Sequence, residues 1–391
     1  MNYNFNELIN RRGTQSEKWD ATAEEVLPLW VADMDFRAPR PVLDALQRRI
    51  DHGIFGYAHV PQAYYDAITR WFSTRHHWQI NPSHIIYTTG VIPAIAAALR
   101  AVTLPGEKVL IQSPVYNCFY SCIRNCGCEV LDSPLVRTES HRYVIDFDDL
   151  EAKADDERCV AMLLCNPHNP AGRVWTAEEL KHIGDICDKH HVQLISDEIH
   201  CELIMPGHTF TPIASLTESW VENVVVTNSP TKSFNLAGLQ VANIIAPNPR
   251  LRRQIDRAIN LHETCDINPF GIDALIAAYN ESGDWIDQLN EYLWENYQTL
   301  RQFVEAELPR THLTPLEGTY LAWLDVRAYS IPTAEIEHSL KEVEKVWVNS
   351  GTLYGTEGFL RINIATPRTR LLEGLVRMAR GLHRLASTNN M

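Results

Sequence analysis

A chain of 391 residues with 45% hydrophobic and 21% charged residues has an ordinary soluble composition and is long enough for two hydrophobic cores. Its formal net charge of -14 argues against nucleic acid or an anionic membrane as partner. The first residues carry no apolar signal segment and the longest apolar stretch, 91–99, is too short to span a bilayer; nine cysteines without regular spacing fit a reduced, cytoplasmic setting.

Taken in chain order, five short apolar runs that end in polar or turn residues predict buried parallel strands. They are HIIYTTG (84–90), KVLIQSP (108–114), CVAMLLCNP (159–167), VQLISDE (192–198) and NVVVTNS (223–229), with VANIIAP (241–247) as a sixth. Helical patterns lie between them. In TAEELKHIGDICDKH, Thr176 and Glu179 make a capping box ahead of an apolar stripe through Leu180, Ile183, Ile186 and Cys187. Strands alternating with helices predict an α/β fold with a largely parallel sheet. From Trp285 the texture changes to a long amphipathic helix with Leu289, Leu293, Leu300 and Val304 near one face. The strands TYLAWLDV and GFLRINIA follow, and the chain closes on a short polar tail, STNNM. The expected organisation is a segment 1–48 joining a small α+β domain at 285–391, with a large domain at 49–284 between them.

Ligands of parallel sheets sit beyond the carboxyl ends of the strands. Those ends carry Gly90, Tyr116, Asn169, Asp197, His200, Ser229 and Lys232. Asp197 follows a run that should be buried, so its charge calls for a cation or a protonated ligand nitrogen; capping a helix is its plainer role. NPHNPAG forces a turn that could aim Asn169 at a ligand oxygen. TTGVIPAI opens a helix at Gly90, where free backbone N–H groups at Val91 and Ile92 attract an anion. Neither a dinucleotide-binding glycine pattern nor a P-loop is present, so a phosphate would be held by this simpler turn, helped by Ser229. Tyr116 could stack on a flat ring, its alternative being a core tyrosine. Most lysines lie on surfaces. Beside an anion site, a ring platform and a buried carboxylate, however, Lys232 has the company expected of a lysine that binds the aldehyde of pyridoxal 5'-phosphate.

NPHNPAG, SDEIH, SPTKSFN and FLRINIA occur in an order and spacing that resembles pyridoxal-phosphate enzymes of fold type I in the class I/II aminotransferase family. VADMDF (31–36), GIFGY (53–57), SDEIH and TYLAWLDV look most like the MalY/PatB group of cystathionine β-lyases, or carbon–sulfur β-lyases. This resemblance implies a large domain with a mainly parallel seven-stranded sheet flanked by helices. It makes Lys232 the Schiff-base lysine and sets Asp197 at the pyridine nitrogen. Asn169 falls at the phenolic oxygen, with His200 nearby. Tyr116 lies on the ring, and Gly90, Val91, Ile92 and Ser229 at the phosphate. Tyr57, grouped with Lys232 as catalytic, would reach the cofactor phosphate of a neighbouring subunit, which implies a homodimer with shared sites. Arg361 would grip the substrate α-carboxylate, with Asp33 and Tyr320 beside it, and Trp30 and Trp323 are further candidates to line the pocket. Many relatives carry an arginine soon after the lysine as a phosphate contact; KSFNLAGLQVAN has none, a feature the lyase group shares.

The implied reaction is β-elimination of cystathionine or another cysteine S-conjugate to a thiol, pyruvate and ammonia, with Lys232 as general base. Two rivals stand beside it: an aminotransferase, which shares the first steps, and a regulatory protein-binding role added to catalysis or replacing it. Metal chemistry is the remaining alternative, because Cys118, Cys122 and Cys126 share a helix face with Cys128 close by, but packed thiols explain them and no zinc motif is present.

Overall fold

The computed structural model describes residues 3–261 and 265–388, so the last three residues of the polar tail lie outside it. Seven strands build the larger sheet: β1 (Ile85–Thr88), β2 (Lys108–Ile111), β3 (Glu129–Asp132), β4 (Cys159–Cys165), β5 (Gln193–Asp197), β6 (Val225–Asn228) and β7 (Ala242–Ile245), in the order β1-β7-β6-β5-β4-β2-β3. The fold is α/β, with a mostly parallel sheet covered by helices.

Alternation along the strands explains why these apolar runs become strands. Successive side chains point to opposite faces. Leu110, Met162, Leu164, Leu194 and Val226 enter one core, whereas Val109, Ile111, Leu163, Ile195 and Val225 enter the other. Both faces are therefore buried, and the runs read as continuously apolar. Helices α1 (Val91–Val102) and α2 (Asn117–Asn125) cover the second face; α3 (Ala177–Lys189), with the expected Thr176–Glu179 capping box, covers the first.

Two features differ from the sequence reading. The sixth predicted strand, now β7, is antiparallel to both neighbours, pairing Ala242 with Thr88 and Asn243 with Asn228. Strand polarity leaves no mark on an apolar run, so composition did not show it. The seventh strand, β3, was not picked out: it is an edge strand, EVLD, only half-buried and charged at both ends.

Beyond the one-turn helix α4 (Pro230–Ser233) comes the long helix α5 (Gly283–Glu307), which buries Trp285, Leu289, Leu293, Leu300 and Val304. A second, antiparallel sheet follows, of β8 (His312–Leu313), β9 (Leu321–Asp325), β10 (Asn349–Ser350) and β11 (Phe359–Asn363), in the order β8-β9-β11-β10. Helices α6 (Thr333–Glu342) and α7 (Arg368–Thr388) complete this region. The amino-terminal segment joins it: Leu27–Pro28 pairs in parallel with Val346–Trp347. No helix among the described residues is long and apolar enough to cross a membrane.

Candidate active site

The ends of the parallel strands meet the amino-terminal segment and the small sheet around one cavity of about 600 Å³. Lys232, Asp197, Asn169, His200, Tyr116, Gly90, Val91, Ile92 and Arg361 all line it. They come from six separate stretches of chain, brought together by strand order. The register sets Cys165 beside Asp197 and Asp197 beside Thr227, so the loops after β4, β5 and β6 open side by side.

Lys232 sits in α4, directly past β6. The helix starts at Pro230 because Ser229 caps it, its hydroxyl accepting from the Thr231 amide at 3.1 Å. The half-buried Lys232 ammonium donates to the Ala32 carbonyl at 2.7 Å. Burial and the nearby Arg361 guanidinium lower its pKa, against the pull of Asp33 and Asp197. Asp197 ends β5 and accepts from the Ile199 amide at 3.1 Å. Burial pushes its carboxyl up to about 7, and the Ile199 amide and Lys232 offset this only in part. His200, 3% exposed, is pushed down to about 3 by burial and by the charges of Lys232 and Arg361, so its ring is neutral at pH 7. Its buried Nδ1 has no hydrogen-bond partner.

Arg361 lies at the centre of the small sheet, opposite Trp323 on one side and Asn349 on the other. One Nη donates to Asn169 Oδ1 at 3.1 Å and the other to the Trp30 carbonyl at 2.9 Å, while the guanidinium stacks 4.6 Å from the Tyr354 ring centre. Its Nε is buried and unpartnered. Across the cavity, Gly90 precedes α1 without any side-chain cap, leaving the first amides of a twelve-residue helix open to a ligand. A Cβ on Gly90 would approach the Pro93 ring at 3.3 Å, so the turn is already close-packed.

These groups fit one kind of cofactor. An uncapped helix start suits a phosphate, Tyr116 a flat ring, Asp197 a protonated ring nitrogen and Lys232 an aldehyde; the unpartnered His200 Nδ1 is a further polar atom facing that space. Pyridoxal phosphate carries the matching groups.

Other expected residues lie elsewhere. Ser229 is behind the wall, its hydroxyl donating to the Val241 carbonyl at 2.6 Å; Thr231 faces the cavity in its place. Asp33 is not among the residues lining the cavity: Arg11 grips its carboxylate at 2.7 and 2.9 Å, close enough to Lys232 for its charge to be felt there, so it braces the amino-terminal segment. Tyr320 is fully buried and supports His200 edge-on, ring centres 6.0 Å apart. Trp323 packs in the core and bonds the Tyr143 hydroxyl. Tyr57 is fully exposed on this chain and lines a separate surface cavity with Arg49, His52 and His59. Among the described residues no group of three or more His, Cys, Asp or Glu side chains is placed to hold a metal.

The sequence reading missed Thr231, Trp347, Glu337, Asn349 and Tyr354, which also line the cavity. Thr231 stands inside a motif already singled out and was within reach. The others arrive through tertiary placement, which leaves no local signal: Trp347 pairs with the amino-terminal segment, Asn349 lies beside Arg361 in the small sheet, Glu337 is on α6 and Tyr354 follows β10. Asn235, also in SPTKSFN, braces that segment: its side chain donates to the carbonyls of Met34 and Phe36 and accepts from the Met34 amide.

Comparison with known proteins agrees with this geometry. The family model for aminotransferase class I and II matches residues 24–378. Cystathionine beta-lyase PatB of Bacillus subtilis is 40% identical, over 97% of this chain and all of that protein. Protein MalY of Escherichia coli is 32% identical, over 95% of this chain and 97% of its own length. The crystal structure of cystalysin from Treponema denticola, which contains a pyridoxal 5'-phosphate cofactor, superposes with a TM-score of 0.94 at 34% identity, covering 98% of this chain and all of that one.

Proposed function

This chain belongs to the class I and II aminotransferase family, and we propose that within it the protein is a pyridoxal-phosphate-dependent carbon–sulfur β-lyase. The cavity supports the cofactor, since a lysine amine with lowered pKa, a buried carboxyl without a bonded cation and a buried arginine open into one space, and the 40% identity to a cystathionine beta-lyase over its whole length carries the choice of elimination. The net reaction takes a cysteine thioether and water to a thiol, pyruvate and ammonium. The bond from Cβ to sulfur breaks, the sulfur leaves with the electron pair, and the Cα proton is removed.

Pyridoxal phosphate, when bound, supplies an aldehyde for amines and a cationic ring that draws electrons from the bonds at Cα. The chain does the rest. Asp197 would hold the proton on the ring nitrogen, and a cation there would stabilise the carboxylate that burial now disfavours. The α1 amides and Thr231 would seat the phosphate, with Tyr116 against the ring. Arg361, oriented by Asn169 and Tyr354, grips the α-carboxylate through its planar fork. Lys232, whose neutral form is favoured by burial, takes the proton from Cα. Trp30, Val31 and Ala32 form one wall of the cavity. A second copy of the chain would bring Tyr57 to the phosphate, making a homodimer with shared sites, and the unpaired thiols suit a reducing, cytoplasmic setting.

The test is pyruvate release from L-cystathionine by the purified holoenzyme without any added keto acid. Sustained turnover is expected. Product formation only when a keto acid is supplied would assign the protein to the aminotransferases instead.

A further inference from the structure

The β-lyase reading leaves the sulfur substituent without a seat, and the residues that remain once the known groups are placed describe one. With the strand ends committed to the cofactor, Lys232 to Cα and Arg361 to the carboxylate, the outer part of the cavity is lined by Trp30, Val31, Trp347, Leu353 and Glu337. Trp30 and Trp347 are stacked, with ring centres 4.0 Å apart and an interplanar angle of 14°.

Both rings are held in place. Trp347 Nε1 donates to Glu337 Oε1 at 2.9 Å, and the Lys341 ammonium sits 3.7 Å from the centre of the Trp347 ring. Trp30 Nε1 donates to the Lys18 carbonyl at 3.2 Å, and its own carbonyl is bonded by Arg361 and Asn349. The platform therefore begins one peptide away from the carboxylate-binding arginine. The Lys341 ammonium lies against the Trp347 ring and is not among the lining residues; the charged side chain that lines this outer part is Glu337. Its second oxygen accepts from the Ser350 amide at 2.8 Å, so both oxygens already have partners. Among the described lining residues no cation is left over for a second substrate carboxylate, and one carboxylate stands to repel it.

We propose that the Trp30–Trp347 stack is the seat of the sulfur substituent and that it selects S-conjugates of cysteine with an apolar, flat substituent over those ending in a second carboxylate. A fixed aromatic surface gains apolar contact and ring stacking without ordering new side chains. A distal carboxylate there loses water and meets Glu337.

The test compares the holoenzyme's kcat/KM for pyruvate release from S-benzyl-L-cysteine, S-methyl-L-cysteine and L-cystathionine. The first two release different thiols, so it is the change in their ratio on mutating the wall, in which the leaving-group difference cancels, that reads the wall. S-benzyl-L-cysteine should exceed S-methyl-L-cysteine by at least about tenfold, and should exceed cystathionine. Trp30→Leu should lower the benzyl-to-methyl ratio roughly tenfold, and Trp30→Phe should restore most of it. Glu337→Gln removes the charge together with one of the two acceptors, so in a variant that keeps the parent benzyl-to-methyl ratio it should raise cystathionine relative to S-benzyl-L-cysteine by about three- to fivefold. A benzyl-to-methyl ratio near one, a ratio unmoved by Trp30→Leu in a folded variant, or a preference for cystathionine overturns the proposal. Pyruvate from none of the three substrates would instead sink the lyase reading, and this inference with it.

Discussion

The two walls of the cavity are built on opposite principles. The wall made by the parallel strand ends is short of partners: Asp197 has a backbone amide but no bonded cation, His200 Nδ1 has nothing, and α1 starts without a cap. The wall made by residues 30–33 and the small sheet is nearly saturated. Lys232 and Arg361 reach across to the Ala32 and Trp30 carbonyls, and Asn363 donates to the Val31 and Asp33 carbonyls. Buried polar groups without partners are costly, so the first wall awaits a permanent occupant. The second wall serves its own donors until a substrate displaces those carbonyls, which suits a ligand that comes and goes. The Arg361 Nε is the exception there, a buried donor without a partner.

The sharpest way to break this contrast is at Lys232, which belongs to both walls. Lys232→Ala removes the aldehyde-binding amine and the base together, and pyruvate release should fall by at least about 10⁴-fold. Retention of the wild-type rate would remove the lysine from the chemistry. Next in size is Asp197→Asn, a change confined to the first wall. It removes the charge that holds the ring proton, and activity should drop roughly 10²- to 10³-fold, with weaker retention of the cofactor on dialysis. Unchanged activity and retention would show that the carboxyl has no ligand to answer. Arg361→Lys tests the second wall. The fork becomes a point charge, so kcat/KM should fall about 10- to 100-fold, mostly in KM, while the absorbance of bound cofactor stays as in the parent. Loss of the cofactor band in that variant would erase the division between the walls.

The same division explains what could be read before the structure. The partner-poor wall was legible because its residues sit where apolar runs stop, and an ionisable residue after VQLIS or NVVVTN has few ordinary reasons to be there. The saturated wall was not. Trp347 reaches the cavity only because Val346–Trp347 pairs with Leu27–Pro28, and Asn349 only because it lies opposite Arg361 in the small sheet. The first contact joins opposite ends of the chain, the second crosses a short connection that carries no signature of its own, and neither strand exceeds two residues. Asp33 and Ser229 have partners the sequence does not announce, for a related reason. Residue type announces hydrogen-bonding capacity, but Arg11 and the Val241 carbonyl, which use that capacity up, are visible only in the fold. The reversed polarity of β7 belongs with these, since direction is a property of connections rather than of composition.

The smallest effect concerns the partner-poor wall and its dependence on pH. Glu198, fully buried next to Asp197, is pushed up to about 8 by burial, against bonds from the Ile213 amide, Ser196 and Asn166. Both carboxyls thus have folded pKa values above their unfolded ones, so the folded protein without cofactor holds protons that the unfolded chain gives up. Their stabilisation is complete below about pH 4 and is lost as pH rises toward 8. His200, at about 3, and His168, pushed down to about 4 by burial, work in the other direction: their contribution grows with rising pH and is complete by about 6.5. Between pH 4 and 6.5 the two pairs offset one another. Above 6.5 the carboxyls go on losing stabilisation while Lys232, whose pKa burial lowers, works against them, so the cofactor-free protein should lose on the order of 1–2 kcal/mol by pH 8. Most of that loss belongs to Glu198, whose folded pKa is the higher. Glu198→Gln keeps a neutral group of the same shape and should flatten the decline, whereas bound cofactor should remove the smaller share due to Asp197 by giving that carboxylate a cation. Thermal unfolding of the cofactor-free parent and of Glu198→Gln at pH 6.5 and pH 8 measures this. Parallel declines in the two proteins would mean that Glu198 ionises freely inside the fold, and that the wall beneath the ring is wetter and better partnered than its geometry implies.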